Sequence, residues 1–217
     1  MCAMMGSSRL HRLCSSLLTY TLSEAGEDAR ILAFGTLARR YRWCYPQIPI
    51  LSLGVNPVSA DPQRQLLRHL IATLAYRTAK ALRGAPDTFA DFQSPGGVKT
   101  PVRLLAHMGD LFDWALRMAQ GGKEWTEATP QPWEKESARF FASLKAFDDF
   151  LASEAPLQSQ TVERLLQGPI VDAVTHAGQL AMLRRQAGSP IRAEAFFIAE
   201  IAAGRVGADQ APPRREL

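Results

Sequence analysis

From residue 58 onward the chain is cut into helix-length blocks by proline and glycine, and this punctuation constrains the fold more than any other feature. Asp61-Pro62 and Thr100-Pro101 each place a capping side chain before a proline at the first helical position. Thr129-Pro130-Gln131-Pro132 makes a third break, and Gly188 with Pro190 closes a block that begins at Val171. Between the breaks, apolar residues recur at helical spacing. Leu67, Leu70, Ile71, Leu74, Ala75, Thr78 and Leu82 form one stripe; Leu104, His107, Leu111, Trp114 and Met118 form a second. Phe140, Phe141, Leu144, Phe147, Phe150 and Leu151 form a third, with Glu134, Lys135, Glu136, Lys145 and Asp149 expected outside it. No alternating strand pattern follows residue 58, so the predicted fold is all-α, an up-and-down four-helix bundle.

The weaker segments complete this expectation. His69, Thr73, Tyr76 and Lys80 read as the wetter face of the first helix. The segment Leu157–Gln167 reads as a partly helical connection, and Ile191–Gly204, with Phe196, Phe197, Ile198 and Ile201, as a short C-terminal helix. The last residues, Ala208–Leu217, carry two prolines and two arginines and read as a mobile tail. Three regions result: an irregular N-terminal extension over 1–57, the helical bundle over 58–210, and a tail over 211–217.

Composition limits function mainly through its unevenness. Residues 1–57 contain no lysine and carry six arginines against three acids, leaving 19 basic and 18 acidic residues for the rest of the chain. Without a dominant positive field on the main domain, nucleic-acid binding through Arg184, Arg185, Arg214 and Arg215 is disfavoured. Cys2, Cys14 and Cys44 all precede residue 58, so neither disulfides nor thiolate zinc sites hold the bundle together. That usage fits a cytoplasmic protein, and no apolar run is long enough to span a membrane. Met1–Glu24 has the outline of a targeting peptide, with Arg9, His11 and Arg12 before Leu13–Leu22. Serines and threonines break its apolar core, and no small-x-small cleavage site follows convincingly. It reads better as a poorly ordered extension, or as sequence upstream of the true start.

Two blocks carry polar residues where the helical period calls for apolar ones. His107 lies in the stripe of the second helix, and Asp172 and His176, four residues apart, share one face of the last. Two imidazoles and one carboxylate meeting inside a bundle can hold a divalent ion (Zn, Ni, Fe or Mn) with positions left open. The alternative compensation is a metal-free hydrogen-bonded cluster. Gln179 is the candidate contact to a ligand or to substrate, and Gly178 is read as permitting close helix approach. Gln179 and Tyr76 are the candidate cofactor contacts; Tyr76, Asp110 and Gln179 are also considered as bases. Asp110 and Asp113 either orient an imidazole or face water.

The string Leu104-Leu105-Ala106-His107, followed much later by Thr175-His176-Ala177-Gly178-Gln179-Leu180, resembles the DinB/YfiT-like superfamily. The run from His176 to Pro190 and the string Ile201–Gly207 resemble a subgroup of it, and the likeness covers about residues 58–210. It implies a four-helix bundle holding a metal through a lone helix histidine and a later His-x-x-x-His, with some members acting as thiol-dependent transferases or isomerases. His107 matches the first ligand position and His176 the last; Asp172 stands where the middle histidine falls. The function expected is therefore a metal-dependent thiol transferase or hydrolase that uses a low-molecular-weight thiol. The partners expected are a small-molecule substrate and a second copy of the chain. The competing expectation is a non-catalytic helical module, a stress-related dimer or small-ligand binder.

Overall fold

Asp61 opens the first helix as the sequence predicts, its carboxylate accepting from the Gln63 N–H at 2.9 Å with Pro62 in the first turn. The computed structural model describes residues 61–97 and 99–217; the N-terminal extension, its cysteines and its leader-like segment lie outside the described residues. Helix α1 spans Pro62–Leu82, α2 Pro101–Ala119 and α3 Trp133–Ala152. A single turn, α4, covers Val162–Leu165, and a wide turn through Leu166–Ile170 leads into α5, Val171–Gln186. Gly168 and Pro169 make the kink in that wide turn. Among the described residues no β-strand occurs, only an isolated antiparallel bridge between Glu194 and Glu216.

Helices α1 and α2 each pack against both α3 and α5. The shared core takes Ile71 and Leu74 from α1, Leu105, Met108 and Phe112 from α2, Phe140, Leu144 and Phe147 from α3, and Leu180 from α5. Each such side chain contributes about 1.5–3 kcal/mol by leaving water. Phe112 meets Phe140 edge-on at 6.3 Å and Phe147 at 6.0 Å, joining the α2 and α3 stripes. The predicted stop after α5 is also present. Gly188 has φ +77°, a left-handed conformation only glycine adopts without strain, and the Ser189 N–H reaches back to the Arg184 carbonyl at 2.9 Å.

Buried charges depart from the periodic reading. Glu136, expected outside, is wholly buried; it accepts from the Gln131 N–H at 2.7 Å and from Arg139 Nε at 2.9 Å. Arg139 also bonds Asp110 at 2.8 Å and the Ala106 carbonyl at 2.7 Å, so one guanidinium ties α2 to α3. Gly109 makes room for it: a Cβ there would lie 3.0 Å from the guanidinium carbon. Arg68 of α1 grips Asp148 of α3 through two bonds of 2.9 and 3.0 Å. Arg184 is buried against the end of α1, donating to the carbonyls of Ala81, Arg83 and Gly84. One of the arginines weighed for nucleic acid is thus engaged in closing a helix end.

Two further expectations are corrected. Tyr76 and Lys80 are buried, not on a wet face; Lys80 Nζ lies 2.7 Å from Glu194 and 3.2 Å from Glu216. The segment Ile191–Gly204 is not a helix; it holds only a single 3-10 turn at Phe196–Ile198. The path taken instead lets Glu194 meet both Tyr76 and Lys80, and without it the buried Lys80 ammonium would lose a counter-charge at a large cost. The C-terminal residues pair along the same path: the Ala195 N–H bonds the Arg215 carbonyl, and the Leu217 N–H the Ala193 carbonyl.

Candidate metal centre

The second helix delivers His107 because Leu104 and Leu111, one turn either side, are pinned in the core and fix the face on which the imidazole emerges. On α5, buried Ala173, Ala177 and Leu180 fix the adjoining face in the same way, leaving Asp172 and His176 to meet His107. One ligand atom from each of His107, Asp172 and His176 lies within 4.8 Å of the others. Asp172 Oδ1 is 3.2 Å from His176 Nε2, and Oδ2 is 3.6 Å from His107 Nε2. The two rings are 5.0 Å apart at 73°. Both imidazoles therefore present Nε2 to one carboxylate.

The cluster lies at the rim, where the sequence reading had placed it in the interior. The His107 and His176 side chains are 18% and 16% exposed, while Asp172 is 46% exposed and forms the mouth. Trp125, from the loop after α2, covers one side, edge-on to His107 at 5.6 Å and to Trp114 at 5.5 Å. Such a site is walled by rings but accessible to a small molecule.

The donor set fits a divalent ion on three counts. The histidine–carboxylate separations match those of groups sharing one ion with bonds of about 2.0–2.2 Å. Gln179 Oε1 is 2.8 Å from His176 Nδ1, an acceptor that places the proton on Nδ1 and frees the Nε2 lone pair toward the cluster. His107 has its pKa lowered from 6.5, by burial first and by the charges of Lys99 and His176 next, against the opposing pull of Asp172. Its imidazole is thereby kept neutral, the form a metal requires. Its Nδ1 is buried with no hydrogen-bond partner among the described residues.

The other expected participants lie elsewhere or act differently. The Tyr76 hydroxyl donates to Glu194 Oε1, and its pKa is pushed up to about 12 by burial and that bond, so it stays protonated near neutrality. Asp110 and Asp113 do not orient an imidazole. Asp110 accepts from Arg139 and the Ala128 N–H, and Asp113 accepts from Ser143 Oγ at 2.7 Å. Gly178 is exposed, and a Cβ there would meet nothing within 4 Å, so it serves no close helix approach. His69 is exposed on α1.

Sequence reasoning passed over three residues beside the cluster. Arg103 precedes His107 by four residues, so the helical repeat that singled out Asp172 and His176 also points to it; Lys99 lies just before α2 begins, beyond that repeat. With His107 they line a cleft of about 440 Å³. Trp125 sits in a loop, where no periodicity exists to mark it. No helix among the described residues is long and apolar enough to cross a membrane. No family model matches the chain, and searches of curated proteins and of solved structures find no match.

Proposed function

We propose that the chain is a DinB/YfiT-like four-helix bundle whose His107, Asp172 and His176 hold one divalent ion, serving a metal-dependent transfer or hydrolysis that uses a low-molecular-weight thiol. The observation that carries this is the convergence of two Nε2 atoms and one carboxylate from separate helices, with Gln179 fixing one ring. The family likeness of the two histidine strings supports the same reading, as does the packing of α1 and α2 against both α3 and α5. When bound by these three residues, a divalent ion would supply Lewis acidity toward a thiol or water. The chain's own residues bind and orient: Asp172 at the mouth adds negative charge, Gln179 aligns His176, and Trp125 shields His107 from one side.

A metal-free cluster is the second reading, favoured by the 3.2 Å approach of Asp172 to His176, short enough for a direct charge-assisted contact. Thermal melting with chelator and with added Zn, Ni or Mn decides between them. An ion at one hundred times its dissociation constant adds about 2.7 kcal/mol, or about 5–10 °C for a domain of this size. No shift with any ion overturns the metal reading. A screen of low-molecular-weight thiols with an electrophilic acceptor, read as thiol loss, then tests the transferase; turnover that survives chelation refutes it.

A further inference from the structure

The cleft beside His107 has a charge pattern that folding does not use. Lys99 and Arg103 line it, both exposed, and neither has a hydrogen-bond or ion-pair partner among the described residues. The other arginines of α1, α2 and α3 are engaged: Arg64, Arg68, Arg117 and Arg139 bond protein oxygens, and Arg77 lies over the Phe196 ring. Asp91 and Glu127 also line these walls, yet neither is drawn onto Lys99 or Arg103. The same two cations line an adjoining cleft of about 670 Å³, which shares Pro130 with the first. On α2, four residues correspond to about 6 Å along the axis, so Arg103 stands one turn before His107, while Lys99 lies just ahead of the helix. Both cations line the same cleft as the imidazole.

We propose that Lys99 and Arg103 bind an oxyanion, a carboxylate or its equivalent, on the small molecule whose other end reaches His107 and Asp172. This names the substrate class of the candidate metal centre and rests on that reading. A guanidinium offers two parallel donors to a carboxylate, and the ammonium adds a point charge; the cleft volume is that of a small-molecule site. A neutral thiol of similar length gains nothing from either cation.

The test uses the full chain, wild type and the double variant Lys99→Gln, Arg103→Gln, each in Zn-loaded and chelator-treated form. Calorimetric titration compares 3-mercaptopropionate with 2-mercaptoethanol, which differ chiefly in the carboxylate. Wild type binds the carboxylate probe at least tenfold more tightly, and the double variant brings the two within twofold. Equal affinities in wild type, or a preference that survives in the variant, overturn the proposal. Zn affinity is titrated separately; the two substitutions do not weaken it, because neither residue is a ligand and each removes a positive charge beside His107. Failure of wild type to take up Zn counts against the metal reading alone; the carboxylate preference is then judged on the chelator-treated protein. Both positions are exposed and unpartnered, so melting temperatures match and lost binding is not lost folding.

Discussion

Replacing Gln179 with leucine separates a metal centre from a polar cluster that merely satisfies itself. Gln179 is exposed, on α5 one turn beyond His176, and its side-chain oxygen stands 2.8 Å from His176 Nδ1. Leucine keeps the helix preference of glutamine but removes the acceptor. In the chelator-treated protein the cost is small, within about 0.5 kcal/mol, because water replaces the lost partner at an exposed position. In the metal-bound protein the loss is larger: without the acceptor the ring can turn, and its proton can move to the nitrogen that must hold the ion. Partners of this kind change metal affinity by about 10–100-fold, or about 1.4–2.7 kcal/mol. Competition titration against a chromophoric chelator reads the affinity, and urea unfolding reads the stability. Gln179→Glu moves the other way, since a charged acceptor makes the ring a better ligand. Zn affinity unchanged in Gln179→Leu, or stability lost equally with and without metal, refutes the argument that this bond prepares a ligand.

Acid should weaken the fold through His107. Its folded pKa is lowered, so between that value and 6.5 the unfolded chain holds a proton that the folded chain refuses. The stability this group contributes is complete above pH 6.5, declines as pH falls, and levels off below the folded value; a His107→Gln variant removes that part of the slope in urea melts, and an unaltered slope contradicts it. Arg184→Met leaves the carbonyls of Ala81, Arg83 and Gly84 without their shared donor and should cost about 2–4 kcal/mol by urea unfolding, with Zn affinity unaffected. Asp148→Asn leaves Arg68 buried without its counter-charge and should cost about 3–5 kcal/mol; a loss under 1 kcal/mol contradicts the view that this pair locks α1 to α3.

The helices were legible because their signals are local. Asp61-Pro62 and the Gly188 stop act within one turn, and the aromatic row of α3 could only face inward. His107, Asp172 and His176 were legible for the same reason: each breaks or shares a helical stripe, and the packing of two helices brings the stripes together. Buried charges were not legible, because a period counts Glu136, Lys80 and Arg184 as surface until their partners are known. Those partners are far away in sequence; Lys80 finds Glu194 and Glu216, while Arg184 finds the end of α1. The Phe196–Ile198 segment misled for a related reason. Its apolar run reads as a helix, yet the chain makes only one 3-10 turn there, and Glu194 just before it meets Tyr76 and Lys80. That Trp125 would wall the cluster beside His107 also depended on a loop whose course no periodicity encodes.

Equilibrium dialysis against Zn, with elemental analysis of wild type and of the Asp172→Ala, His176→Ala double variant, bears most directly on the central claim. One ion per chain in wild type and less than a tenth of that in the variant, at matched folding, is the result predicted. Equal metal in both proteins, or none in wild type, would contradict it.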